Sequence, residues 1–212
     1  MQAVDVVASV CGSLPAPPAR VLEVGAGDGE LAGDLRSVGY DVLAIDRASE
    51  TPEVVPVALH EMKAPPQPFD AAVAVLSLPH VEPLRKSCVR LAALVRPGGR
   101  LVIDEFDVER FDERAAGWWI AQRTAVGEPP EHARAPLVEH HREHLHGLAE
   151  VMDELAGGFA LGEPVRGPYL HRWWVGEGLR RAEEQLIATG SLPATGARLV
   201  GIRRDPGLEE GK

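Results

Sequence analysis

The chain has 212 residues, enough for one α/β domain with a modest appendage around a buried core. Its apolar content of 45% and charged content of 25% suit a soluble globule, and a net charge of −10 with a pI near 5.3 argues against a nucleic-acid partner, because phosphate binding needs a basic face. No run approaches the roughly 18 apolar residues of a membrane span, and Cys11 and Cys88 make neither a disulfide framework nor a metal spacing, so a cytoplasmic protein with no membrane partner is expected.

Residues 2–12 form a short amphipathic pattern, with Val4, Val7 and Cys11 at helical spacing, which the prolines of Ser13 to Ala19 end. The chain then alternates: a strand over 20–24, a helix over 28–38, strands over 41–46, 54–58 and 70–76, a helix over 81–95 and a strand over 100–105. Such alternation specifies a mostly parallel sheet covered by helices, with ligands expected beyond the carboxyl ends of the strands. Residues 106–160 change to helix without strands. One helix is expected over Glu109–Val126, carrying Phe111, Ala115, Trp118, Trp119 and Ala125, and another over Pro136–Leu155, with Leu137, Leu145, Leu148, Met152 and Leu155 on one face. Glu163–Arg172 then reads as a sixth strand, Val175–Thr189 as a helix, Ala197–Ile202 as a last strand and 205–212 as a flexible tail.

The first strand runs Val21-Leu22-Glu23-Val24 into the turn Gly25-Ala26-Gly27-Asp28-Gly29. Glycine lets the backbone approach a ligand closely and tolerates positive φ. A dinucleotide fingerprint needs G-x-G-x-x-G, yet its third position is Glu30, whose carboxylate disfavours a pyrophosphate. The pattern is instead E-x-G-x-G-x-G. It resembles the first motif of the class I S-adenosylmethionine-dependent methyltransferases, whose sulfonium cofactor carries no phosphate. Three further segments resemble the same family in the right order: Asp41-Val42-Leu43-Ala44-Ile45-Asp46, Phe69-Asp70 leading an apolar run to Leu78, and Leu94-Val95-Arg96-Pro97-Gly98-Gly99-Arg100-Leu101-Val102-Ile103.

The resemblance implies an α/β, doubly wound, mostly parallel seven-stranded sheet with an antiparallel last strand and a helical insertion after strand five. It implies S-adenosylmethionine as cofactor and S-adenosylhomocysteine as product, held by Glu23, Gly25, Ala26, Gly27, Asp46, Arg47, Glu61, Met62, Leu76 and Ser77. Asp46 takes the family's ribose-binding position. Many relatives carry an Asp beside the adenine where this chain has His60-Glu61-Met62, so Glu61 or a backbone group is left for that contact. The insertion over 106–160 is expected to cover the acceptor.

Methyl transfer needs a nucleophile aligned with the methyl group and a route for its proton. His80, Glu105 and His144 are the candidate bases; His80 reads first as a residue that caps or packs its loop, His144 stands for the edge histidines His140, His141, His144 and His146, and Asp104 and Glu105 point to opposite faces of an extended strand. Trp118, Trp119, Tyr169 and His171, with Trp173 and Trp174, are candidates for the substrate pocket or for core. Ser77-Leu78-Pro79-His80 stands where nucleic-acid amino methyltransferases carry N-P-P-Y or D-P-P-Y, so a small-molecule acceptor is expected. No acid there resembles the magnesium-dependent catechol enzymes, and no obligatory metal is expected. His140-His141-Arg142-Glu143-His144 also matches the inverted zinc-protease pattern H-x-x-E-H, which arises easily in a histidine-rich helix. Two other classes remain, a non-methylating S-adenosylmethionine- or ligand-binding protein on the same fold and a nicotinamide oxidoreductase, the latter disfavoured by Glu30.

Overall fold

A computed structural model describes residues 4–128, 133–173, 175–205 and 207. Trp174, the side chain of Val4 and positions 206 and 208–212 of the expected tail lie outside the described residues. The sheet order is β3-β2-β1-β4-β5-β8-β6, from β1 (Arg20–Val24), β2 (Asp41–Ile45), β3 (Val54–Val55), β4 (Phe69–Val75), β5 (Val95–Phe106), β6 (Phe159–Leu161) and β8 (Gly196–Arg203). A short β7 (Val165–Gly167) also pairs with β8. Strands β1 to β5 are parallel and β8 runs antiparallel to β5, as the family resemblance implies. The sheet gains an eighth strand over the expected seven.

Because β1 and β4 are covered on both faces, they read as continuous apolar runs, and Glu23 is the one charged residue between Val21 and Val24. One face buries Val21, Val73 and Val102 against α1 (Val4–Ser13) and α2 (Glu30–Ser37). The other buries Leu22, Phe69 and Leu101 against α3 (Leu84–Leu94) and α6 (Leu148–Ala156). On α1 the buried stripe is Val6 and Val10, continued by Leu14 just after the helix, one position off the expected Val7 and Cys11, which are partly buried.

A third apolar cluster lies beyond the end of β5. Phe106, Phe111, Ala115, Trp119, Leu137, Val138, Tyr169 and Leu170 pack there, from α4 (Glu113–Ala125), α5 (Arg134–His144) and the turn Leu170–Arg172. The single helix expected over 136–155 is two. Leu145 is extended and Gly147 precedes α6, where a Cβ would come 2.9 Å from the Glu109 carboxyl carbon. Its halves serve different cores: Leu137 and Val138 join the third cluster, whereas Leu148, Val151 and Leu155 join the sheet.

The strand expected over Glu163–Arg172 is also corrected, since Pro164 and Pro168 confine it to β7 and the following residues turn. That turn is held by the buried Glu183 on α7 (Arg180–Ala188), whose carboxylate accepts the N–H groups of Tyr169, Leu170 and His171 at 2.8, 2.9 and 2.9 Å. Among the described residues no helix is long and apolar enough to cross a membrane.

Candidate active site

Two cavities meet at the carboxyl ends of β1, β2, β4 and β5, sharing Leu76 and His80. The first, of about 260 Å³, is lined by the β1 and β2 ends, by Val57, Ala58 and Leu59, and by the loop after β4. Its floor is the glycine turn. Gly25 has φ +69, and its N–H and that of Ala26 both donate to the Ile45 carbonyl, at 2.9 and 3.0 Å. A Cβ on Gly25 would sit 2.3 Å from Ser77 Cβ, so glycine is what lets the two loops touch.

Asp46 directly follows β2 at the cavity wall. Its Oδ2 accepts the Gly27 N–H at 3.0 Å and its Oδ1 the Ala48 N–H at 2.8 Å, which fixes the carboxylate while leaving each oxygen a further lone pair. Glu23 lies beneath the turn on the α2 side, 3% exposed, with Oε2 unpartnered among the described groups. Burial pushes its carboxyl up to about 7 against the opposing pull of Arg36.

Of the expected cofactor contacts, Gly25, Asp46, Arg47, Leu76 and Ser77 line this cavity; Ala26 and Gly27 build the turn beside it. Glu61 and Met62 do not reach it. Glu61 points to solvent from a short helical turn, and buried Met62 packs in the sheet core. Ala58 and Leu59, one turn earlier, stand in their place.

Leu76 is held in the left-handed region at φ +56, which costs a non-glycine residue about 1–3 kcal/mol. Neighbouring bonds impose it. Leu76 N–H donates to the Asp104 carbonyl at 3.1 Å, and the Glu105 carboxylate accepts Ser77 N–H at 2.9 Å and Leu78 N–H at 2.9 Å. Glu105 is fully buried, and burial pushes its pKa up to about 7 although those N–H groups pull it down. This candidate base is therefore a brace for the loop shared by both cavities. Asp104 points the other way, as expected, between Arg172 at 2.9 Å and Arg198 at 3.0 Å.

The second cavity, of about 190 Å³, is roofed by α5. His80 and Glu105 line it from the sheet side, His140, His141 and His144 from α5, and Phe106, Tyr169 and Trp173 form its aromatic wall. Three sequence expectations are corrected here. Trp119 stands a layer behind the wall, stacked on Trp173 at 5.0 Å and donating Nε1–H to its carbonyl at 2.7 Å. Trp118 packs partly buried against the third cluster. His171 is bound through Nδ1 to Glu183 at 2.8 Å and faces a different cavity, beside Asp104 and Arg198. Of the four histidines the sequence placed along this helix's edge, His141 is half-buried against Phe111 and Trp173, whereas His144, which lines the same cavity, is exposed. Among the described residues, no group of three His, Cys, Asp or Glu side chains is arranged to hold a metal ion.

A doubly wound sheet with a glycine turn, a strand-end acid and paired cavities defines a Rossmann-like cofactor-binding protein. Residues 5–148 match the family model of the methyltransferase domain. The chain is 30% identical to the uncharacterized methyltransferase Rv0089 of Mycobacterium tuberculosis, over 72% of this chain and 85% of that protein. It is 35% identical to the ubiquinone biosynthesis O-methyltransferase of Xylella fastidiosa over 42% of this chain. The chain spans 43% of that enzyme's length and 40% of that of another M. tuberculosis relative, Rv3342. The S-adenosylmethionine-dependent methyltransferase structure from Mesorhizobium loti superposes with a TM-score of 0.59 at 18% identity, covering 94% of this chain and 96% of that one. The chain belongs to the class I S-adenosylmethionine-dependent methyltransferases.

The donor set fits that cofactor. Asp46 offers paired acceptors for vicinal hydroxyls, and Val57, Leu59 and Leu76 give apolar surface for a base. No described Lys or Arg other than Arg47 lines the first cavity, as suits a cofactor without phosphate.

Proposed function

We propose that this protein transfers a methyl group from S-adenosylmethionine to a small molecule held in the second cavity. The observation that carries this reading is the junction of the two cavities at Leu76 and His80, which sets an acceptor beside the cofactor site. S-adenosylmethionine supplies an electrophilic methyl group on a sulfonium. The chain's own residues do the rest: Asp46 holds the ribose, Glu105 fixes the loop between the cavities, and α5 excludes water from above. An acceptor room of about 190 Å³ favours a small molecule over a polymer, as does the acidic net charge of −10. The Xylella relative's name, an O-methyltransferase of ubiquinone biosynthesis, supports the same class. On this reading residues 106–160 act as the acceptor cover of a single methyltransferase domain working in the cytoplasm.

The test is incubation of the purified protein with tritiated S-adenosylmethionine and a size-fractionated cell extract. Label is expected in the small-molecule fraction; label confined to protein or nucleic acid would overturn the reading.

A further inference from the structure

The histidines above the second cavity differ in what their geometry permits. His141 Nδ1 lies 2.8 Å from the Leu137 carbonyl oxygen. A carbonyl can only accept, so Nδ1 carries the proton and the neutral ring presents Nε2 as a bare lone pair. The ring is half-buried and held edge-on by Phe111 at 5.6 Å and Trp173 at 4.7 Å. Burial holds its pKa below the usual histidine value, helped by His140, His80 and His144, so the lone pair is available at neutral pH. His144 makes the same bond to His140 but is exposed, stacked on the His140 ring at 4.3 Å.

The cavity itself narrows the acceptor. An apolar void of about 150 Å³ accommodates one benzene ring. About 190 Å³ walled by Phe106, Tyr169 and Trp173 therefore suits one flat ring with few substituents. No Lys or Arg is among the described lining residues, so no cation waits for a carboxylate or phosphate. The one lining carboxylate, Glu105, is taken up by Ser77 and Leu78, which disfavours an ammonium.

We propose that the acceptor is a single-ring phenol and that His141 is the base that receives its proton. This rests on the methyl-transfer reading above. The phenol O–H bond breaks toward Nε2 of His141 while the oxygen forms its bond to the methyl carbon. The carbon–sulfur bond breaks with its electron pair going to sulfur, leaving an aryl methyl ether and S-adenosylhomocysteine. The imidazolium keeps Nδ1–H on Leu137 and releases the other proton to solvent. The titratable groups facing His141 are His140 and His144 from α5, His80 from the turn after β4, Glu105 from β5 and Tyr169 from the turn before Leu170.

The test uses the full chain with phenol and 4-nitrophenol as probes, the latter reaching the site already ionised near neutral pH. Calorimetry with S-adenosylhomocysteine first establishes cofactor binding for the wild type and for His141→Gln. The wild type is expected to methylate both probes. His141→Gln should lose about 10²-fold in kcat/KM on phenol, the ordinary worth of a general base, and only a few-fold on 4-nitrophenol. Wild-type turnover of phenol should fall at low pH as His141 protonates, and the variant should lose that limb. The absorbance of bound 4-nitrophenol gives a readout independent of turnover: with S-adenosylhomocysteine loaded, the bound spectrum is expected to differ between the wild type and His141→Gln, and identical spectra would overturn the contact with His141. Equal losses on both probes would overturn the role of His141. A protein that binds S-adenosylhomocysteine but neither binds nor methylates phenols would overturn the acceptor class, whereas failure to bind S-adenosylhomocysteine would overturn the methyl-transfer reading itself.

Discussion

Gly25→Ala is expected to lower the thermal midpoint by about 10 °C and to remove measurable S-adenosylhomocysteine binding. Two costs add. An alanine at φ +69 sits in the left-handed region at about 1–2 kcal/mol, and its methyl would lie 2.3 Å from Ser77 Cβ, an overpacking worth about 1–3 kcal/mol. In a domain of this size each kcal/mol moves the midpoint by about 2–4 °C. Ser77 can retreat only by dragging its N–H from Glu105, so relief of the clash opens the wall shared by the two cavities. Differential scanning calorimetry with and without ligand checks both parts. A fully stable Gly25→Ala that binds ligand normally would contradict the close approach of these loops.

Glu105→Ala is expected to destabilise the protein by about 3 kcal/mol, since it strands two buried N–H groups at about 1–3 kcal/mol each. Glu105→Gln, which keeps one acceptor oxygen and removes a charge that burial disfavours, should cost much less. Released from its brace, Leu76 should leave φ +56 for an ordinary conformation, and binding in both cavities should weaken together. Chemical denaturation of the two variants, paired with ligand titration, reads this out. If Glu105 acted as the base and not as a brace, Ala and Gln would lose turnover alike while stability stayed unchanged.

What could be read in advance follows from how local each signal is. Gly25, Gly27 and Asp46 announce themselves because a strand, a tight turn and the next strand's end lie within one βαβ unit, whose register the hydrophobic pattern fixes. The position of β8 was legible as a short apolar run, whereas its antiparallel direction followed from the family resemblance alone. Glu105 was visible as a strand-end acid, but its partners are set by the pairing of Val75 with Asp104, a contact that no nearby residue encodes. Glu183 likewise braces a turn that precedes it, and nothing in the helical pattern of α7 marks it. The break at Gly147 was hidden because apolar residues kept helical spacing through it, although the two halves face different cores. Glu61 and Met62 were placed by family position, whereas the turn at Leu59 rotates both away from the cavity and offers Ala58 instead. Among the four edge histidines the sequence offers on this helix, His141 is the one that stands a turn after both buried Leu137 and Val138.

The central claim is that the glycine turn and Asp46 form a site for S-adenosylmethionine, and isothermal titration with S-adenosylhomocysteine tests it most directly. The expected result is one site per chain, with affinity reduced by about 10²-fold in Asp46→Ala, the loss of two charge-assisted hydrogen bonds to the ligand at about 1.5 kcal/mol each; the thermal midpoint should fall only slightly, because the Gly27 and Ala48 N–H groups that lose their acceptor are exposed to water. No heat of binding by the folded wild type, or equal affinity in Asp46→Ala, would contradict the account.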